Sequence, residues 1–231
     1  MTGRPPLGRI ISRLRGGRLL HPRGRSFCGE IELWGPFAAH LAGGPGRWPA
    51  TVRLSRGTPT PEGWPDLLGL AVRIHRHADP VDLLVSSAGR LPLLRHLPTP
   101  RRDFGGPYTS ILSYRLYGRR VYLAALPERP LGTSLDQVTS IATGGGAGLR
   151  LAVASVAGRW RQFGRISFGE PAPDEVDAAL AFDPIGNRPD DLRTVGLIQR
   201  MRVATYAASR HTRAVADPVP PADAASETRG R

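Results

Sequence analysis

The chain has 231 residues, enough for one sizeable domain with its own core, and contains no apolar run near the ~20 residues a membrane-spanning helix needs. Its 32 basic residues, all arginine, outnumber 19 acidic ones and give a formal net charge of +13. They are scattered rather than blocked, which argues against specific nucleic-acid recognition and leaves only nonspecific attraction to polyanions. The single cysteine, Cys28, excludes an intrachain disulfide.

Residues 1–16 read as a loose basic tail without the 7–15-residue apolar core of a signal peptide, so a cytoplasmic location is expected. From there to Phe168 the pattern is β-like, with strands predicted at 26–34, 48–55, 68–75, 81–86, 109–116, 120–126, 149–156 and 159–168. Val72-Arg73-Ile74 and Tyr114-Arg115-Leu116 alternate with period 2, as half-buried strands do. Tyr117-Gly118 and Ala157-Gly158 mark tight hairpins. Eight strands joined by short connections predict a closed antiparallel barrel, although an open sheet or a sandwich would give a similar count.

Between the sixth and seventh strands, 136–142 reads as a short helix followed by the loop Gly144-Gly145-Gly146, which lacks the Lys-Ser/Thr of a phosphate-binding loop. A helix is expected over 173–180, with Asp174 and Glu175 in a favourable first turn. No Gly or Pro interrupts 197–213, which predicts one continuous helix. On it Arg202, Tyr206 and Arg213 fall within roughly 40° of one another, so two guanidiniums flank one phenol and favour its ionised form. Such a phenolate is a hard ligand suited to ferric iron. Residues 214–231 are Pro/Ala-rich and polar and are expected to be disordered.

These features resemble the haem catalases. Phe182-Asp183-Pro184, Gln199, Arg202, Tyr206 and Arg213 match that family's proximal helix and its approach, with Met201 where the family has an Arg, or Arg200 one residue early. Arg18-Leu19-Leu20-His21-Pro22-Arg23-Gly24 is similar to the segment that presents the distal His. Val52-Arg53-Leu54-Ser55, Gly69-Leu70-Ala71-Val72-Arg73-Ile74 and Asp82-Leu83-Leu84-Val85-Ser86-Ser87 follow in the family's order. The resemblance implies an α+β fold, an eight-stranded antiparallel β-barrel with packed C-terminal helices, in a haem-binding domain over 17–213. The family's long N-terminal arm and C-terminal helical region have no counterpart, so arm exchange and a bound nicotinamide nucleotide are not implied.

By the same resemblance the cofactor is haem b and the substrate a small peroxide. Tyr206 is the iron ligand. Arg202 holds its oxygen ionised, Arg18 and Arg53 face the propionates, and Arg213 completes the stripe. His21 is the distal acid–base group, since peroxide cleavage needs a group that takes a proton and returns it near neutral pH. Ser55 orients His21. Ser86 replaces the distal Asn and supplies a shorter, less directional hydrogen bond. Leu91 and Thr99 stand near the places of the distal phenylalanines. A pocket so altered implies a weak catalase or a peroxidase admitting larger hydroperoxides.

Two rivals keep the fold. One is a haem-free ligand-binding protein. The other is a hydrolase of the phosphodiesterase type, for which His75, His77, Asp79 and Asp82 offer a possible metal cluster; a solvated turn is the simpler account of those four.

Overall fold

The computed structural model describes residues 23–58, 60–76, 79–89, 94–110, 113–184, 186–189 and 192–195. Among the described residues, ten strands alternate with three short helices: β1 (Arg23–Leu33), α1 (Pro36–Ala42), β2 (Gly46–Arg56), β3 (Leu68–Ile74), β4 (Val81–Ser87), β5 (Tyr108–Thr109), β6 (Ser113–Leu116), β7 (Arg119–Pro127), α2 (Leu135–Thr143), β8 (Ala147–Ser155), β9 (Arg161–Pro171), α3 (Asp174–Ala179) and β10 (Arg193–Val195). The hydrogen-bonded order is β10-β6-β7-β5-β4-β3-β2-β1-β9-β8, and a further β7–β8 pairing joins the ends into a ring. The ring contains β1, β2, β3, β4, β5, β7, β8 and β9, all antiparallel to their neighbours. It is the predicted closed eight-stranded barrel, with β6 and β10 as a flap continuing from β7.

The strand read at 109–116 is two elements. Tyr108–Thr109 pairs with β4 and β7 inside the ring, while Ser113–Leu116 leaves it to pair with β7 and β10. The period-2 pattern could not show this, because both pieces keep the same alternation across the break. The helix α1 was not read from sequence, since Pro36 and the Gly43-Gly44 pair that follows it resemble loop punctuation. The helices expected at 136–142 and 173–180 form as α2 and α3, α2 capped by the Ser134 hydroxyl, which accepts from the Gln137 amide.

Alternation assigns the two faces of the sheet. On β2, Ala50, Val52 and Leu54 join the interior cluster while Thr51, Arg53 and Ser55 point outward. On β8, Leu149 and Leu151 face in and Ala152 faces out. The interior is filled by aliphatic residues and by aromatic pairs, Phe27 with Phe168 at 5.3 Å and Phe37 with Phe163 at 4.5 Å between ring centroids. Each fully buried Leu or Ile of this cluster contributes about 1.5–3 kcal/mol relative to exposure. Tyr108, fully buried, donates to the Phe104 carbonyl at 3.0 Å, and burial pushes its phenol far above its ordinary value.

The β6–β7 hairpin turns on Tyr117 and Gly118, both at positive φ (47° and 76°) between the paired residues Leu116 and Arg119, as a two-residue turn of matching twist requires. Among the described residues no helix is long and apolar enough to cross a membrane.

Candidate functional site

One cross-strand row organises the outer face of the barrel. Gly24 pairs with Ser55, Ser55 with Gly69, Gly69 with Ser86, Ser86 with Thr109, Thr109 with Ala124 and Ala124 with Ala152. Directly paired residues of antiparallel strands project on the same side. Seven adjacent strands therefore present nothing larger than a threonine along one outward track. Two of the predicted site residues, Ser55 and Ser86, lie in this track, with only the β3 glycine between them.

Segments of the chain lie over parts of the track. The Thr109 hydroxyl donates to the Arg95 carbonyl, and the buried Arg95 guanidinium donates to the carbonyls of Ser155, Val156 and Gly158 at 3.1, 2.6 and 2.9 Å. The His96 ring stacks on Tyr122 at 3.7 Å. This seats residues 94–99 on β5, β7 and β8, and it leaves Ala124 and Ala152 buried although they face away from the interior. Thr99 donates its amide to Ser87 at 2.8 Å, so it clamps the end of β4.

The β1–β2 end of the track has a charged rim. Arg53, 5% exposed, sits directly opposite Ser26, one pleat from Ser55. Its guanidinium lies across Gly24, where a Cβ would come within 2.6 Å of the Arg53 carbon and nitrogen atoms. Only glycine leaves room for it there. Asp177 of α3 meets Arg53 Nε at 3.4 Å, and the same carboxylate oxygen accepts from the Ser26 hydroxyl. No residue of α3 is buried, and its first turn carries Asp174, Glu175 and Asp177. The Ser55 hydroxyl is buried and reaches the Gly69 carbonyl only at 3.4 Å, a weak bond.

Farther up the same face the returning chain is pinned by one carboxylate. Asp82, its side chain fully buried, takes both Nε and Nη2 of Arg73 at 2.7 Å, the Asp183 amide at 2.7 Å and Asn187 Nδ2 at 2.9 Å. Its own amide donates to the Asn187 carbonyl at 2.8 Å. Arg73 also donates to the Ala181 carbonyl at 2.7 Å and lies 5.2 Å from the centre of the Phe182 ring. Its pKa is raised, first by the hydrogen bond to Asp82, with burial opposing. The Phe182-Asp183-Pro184 motif is thus docked on β3 and β4. Asp82 and Ser86 share the outward face of one strand, roughly 13 Å apart at four residues' rise.

The sequence flagged Asp82 as the start of the segment running to Ser87 and as part of a possible metal cluster with His75, His77 and Asp79. Its carboxylate is saturated by Arg73 and the 183–187 turn, and no group of three or more metal-binding side chains occurs among the described residues. His77 lies outside them. His75 accepts or donates at Nε2 to the Thr51 hydroxyl at 2.8 Å. A signal for the Arg73–Asp82 pair was present, since opposite charges stand equidistant from a short turn. Nothing marked Asp177 as the partner of Arg53. Arg18, His21, Arg202, Tyr206 and Arg213, and the helix predicted at 197–213, lie outside the described residues, as do the two tails.

No family model matches the chain, and no curated protein matches it in sequence. Solved structures do match. Catalase A from Saccharomyces cerevisiae superposes with a TM-score of 0.66 at 13% identity, covering 92% of this chain and 66% of that one. The fold is catalase-like. A fungal catalase gives 0.65 at 13% identity with 64% of its length covered, and a bacterial catalase 0.63 at 12% with 61%. The chain therefore spans a little under two thirds of the length of these catalases. At such identities the likeness establishes the barrel and its course, the catalase fold itself, and leaves the chemistry to the residues.

Proposed function

We propose that this protein binds haem b against the outward track of its barrel and metabolises small peroxides there, as a weak catalase or as a peroxidase. The observation that carries the reading is the track: a plate-shaped ligand with acidic groups needs a surface without large side chains and a cation at its rim. Ser55, Gly69 and Ser86 supply the surface and Arg53 the cation. The fit has one condition. Arg53 already carries Asp177, so a propionate has to displace or share that contact.

In this reading Tyr206 would hold the iron, Arg202 would keep its phenol ionised, and Arg18 and Arg213 would add positive charge for the propionates and the phenolate. The bound group would supply the redox centre for peroxide cleavage. His21 would take a proton from the peroxide and return it to the leaving oxygen. Ser55 lies directly opposite Gly24 in the register of β1 and β2, three residues beyond His21 in sequence, which suits its role of orienting that ring. Ser86 donates the hydrogen bond that steadies the substrate.

The purified chain, reconstituted with haem, should show the Soret absorption of a phenolate-ligated ferric haem, and Tyr206→Phe should abolish that ligation. A wild-type chain that takes up no haem overturns the reading. The rival most worth keeping is the haem-free binder, because Arg53 and Asp177 already form an ion pair within the chain.

A further inference from the structure

Charge is segregated between the two ends of the barrel. At the end where β1, β6 and β8 finish and β2, β7 and β9 begin, three stretches come together, residues 33–46, 113–123 and 153–164. They contain no aspartate or glutamate at all, and they carry Arg115, Arg119, Arg120, Arg159 and Arg161, every one exposed. None of these five forms an ion pair with a described residue. Among the described connections at this end, carboxylates occur only beside β4, at Asp79 and at Asp183 of the turn docked on Asp82. At the opposite end each connection has at least one, with Glu62 and Asp66 after β2, Asp103 after β4 and Asp136 after β7. Arginine-rich composition alone would supply cations to both ends; it would not clear carboxylates from these three stretches.

Two features at this end run against stability. Arg115 and Arg120 are directly paired across β6 and β7, and like charges so placed repel. Tyr117, 83% exposed, holds the first position of the hairpin turn at φ 47°, where Asn or Gly is usual and a bulky side chain is strained. Its hydroxyl meets His40 Nε2 at 3.0 Å, with the two rings edge to face at 5.1 Å, so the phenol ring is held in a fixed orientation. Trp34, 36% exposed, lies at the finish of β1 on the same end. An oriented, exposed aromatic ring among unpaired guanidiniums is the combination that holds single-stranded nucleic acid, rings stacking on bases and cations on phosphates.

We infer that this end of the barrel is a binding surface for single-stranded nucleic acid, without sequence preference, with Arg115, Arg119, Arg120, Arg159 and Arg161 contacting phosphates and Tyr117 stacking on a base. The surface is independent of the outward track and of any cofactor bound there.

The test uses the full chain and a fluorescein-labelled 20-nucleotide thymidine oligomer, read by fluorescence anisotropy over a salt series. The wild type should bind, with affinity falling by a log–log slope of about −0.7 for each phosphate contact. Arg119→Glu with Arg120→Glu should weaken binding at least about tenfold and flatten that slope by about 1.4, two contacts' worth. The same number of reversals at the other end, Arg102→Glu with Arg129→Glu, should cost less than about threefold. Tyr117→Ala should weaken binding about fivefold or more at an unchanged salt slope, the signature of lost stacking. Arg159→Ala with Arg161→Ala gives a second reading should the first pair fold poorly. Absence of binding at low salt, equal losses from the two ends, or a silent Tyr117→Ala overturns the inference. So does tighter binding to vesicles of anionic phospholipid than to the oligomer.

Discussion

Replacing Asp82 with alanine should loosen the return of the chain onto the barrel more than any other single change on this face. The substitution removes two charge-assisted hydrogen bonds to Arg73 at 2.7 Å and the acceptor of the Asp183 amide and of Asn187 Nδ2. The Arg73 side chain is only 16% exposed and the Asp82 side chain not at all, so screening is weak on the acid's side. Losing one partner of such a pair costs about 3–5 kcal/mol. The lower end applies here, because Arg73 keeps the Ala181 carbonyl and the Phe182 ring. Asp82→Asn keeps an acceptor for the Asp183 amide and should cost about 1.5–2 kcal/mol. Urea denaturation at neutral pH gives both values. A double-mutant cycle with Arg73→Ala should return a coupling of about 1.5–3 kcal/mol, within the range known for networked neighbours. Limited proteolysis of the Asp82→Ala chain should show new cleavage between 181 and 189. Single substitutions that each cost under about 1 kcal/mol and simply add would refute the claim that this carboxylate holds the segment.

Ser86→Asn should raise peroxide turnover roughly 10- to 100-fold in the haem-loaded protein, the worth of one oriented hydrogen bond of about 1.5–3 kcal/mol, measured by oxygen evolution. His21→Ala should lower the same rate by ~10²–10⁴, and an unchanged rate would remove His21 from proton transfer. Asp177→Asn should strengthen haem uptake in a spectroscopic titration and lower the melting temperature of the haem-free chain, because the Arg53 guanidinium loses the charge of the Asp177 carboxylate. His75 is held below its ordinary value near 6.5, first by burial and then by the Arg73 charge, with Asp82 opposing. The native state then binds fewer protons than the unfolded chain around that pH, so stability should fall as pH drops below about 6.5. His75→Gln should flatten that fall in melts taken between pH 7.5 and 5.

How far the sequence could be read follows from what each signal measures. Alternation in Val72-Arg73-Ile74 and punctuation at Tyr117-Gly118 report local geometry, and the strands around them formed as expected. Closure of the ring depends on β7 meeting β8 across a helix and a glycine loop, and on β5, a strand of two residues. The eight-strand total was correct although its fifth member was drawn too long. Arg53, Ser55 and Ser86 share the outward face of the barrel, which the sequence reading did not assign. The Arg53–Asp177 contact joins positions 124 residues apart through a helix that buries nothing, so no periodicity could announce it. Asp82 was read for its acidity and is instead a hub for backbone and side-chain donors, a role fixed by the Asn187 turn rather than by its own neighbours in sequence.

The outward track has a consequence for kinship between proteins of this shape. What it demands at each of its positions is an upper limit on side-chain volume, and glycine, alanine, serine and threonine all satisfy it. A requirement of that sort tolerates steady exchange among four residue types, so two chains can both honour it and share few letters. Superposition follows the backbone while comparison of sequences counts identical letters, so a TM-score of 0.66 and an identity of 13% can describe the same pair of molecules.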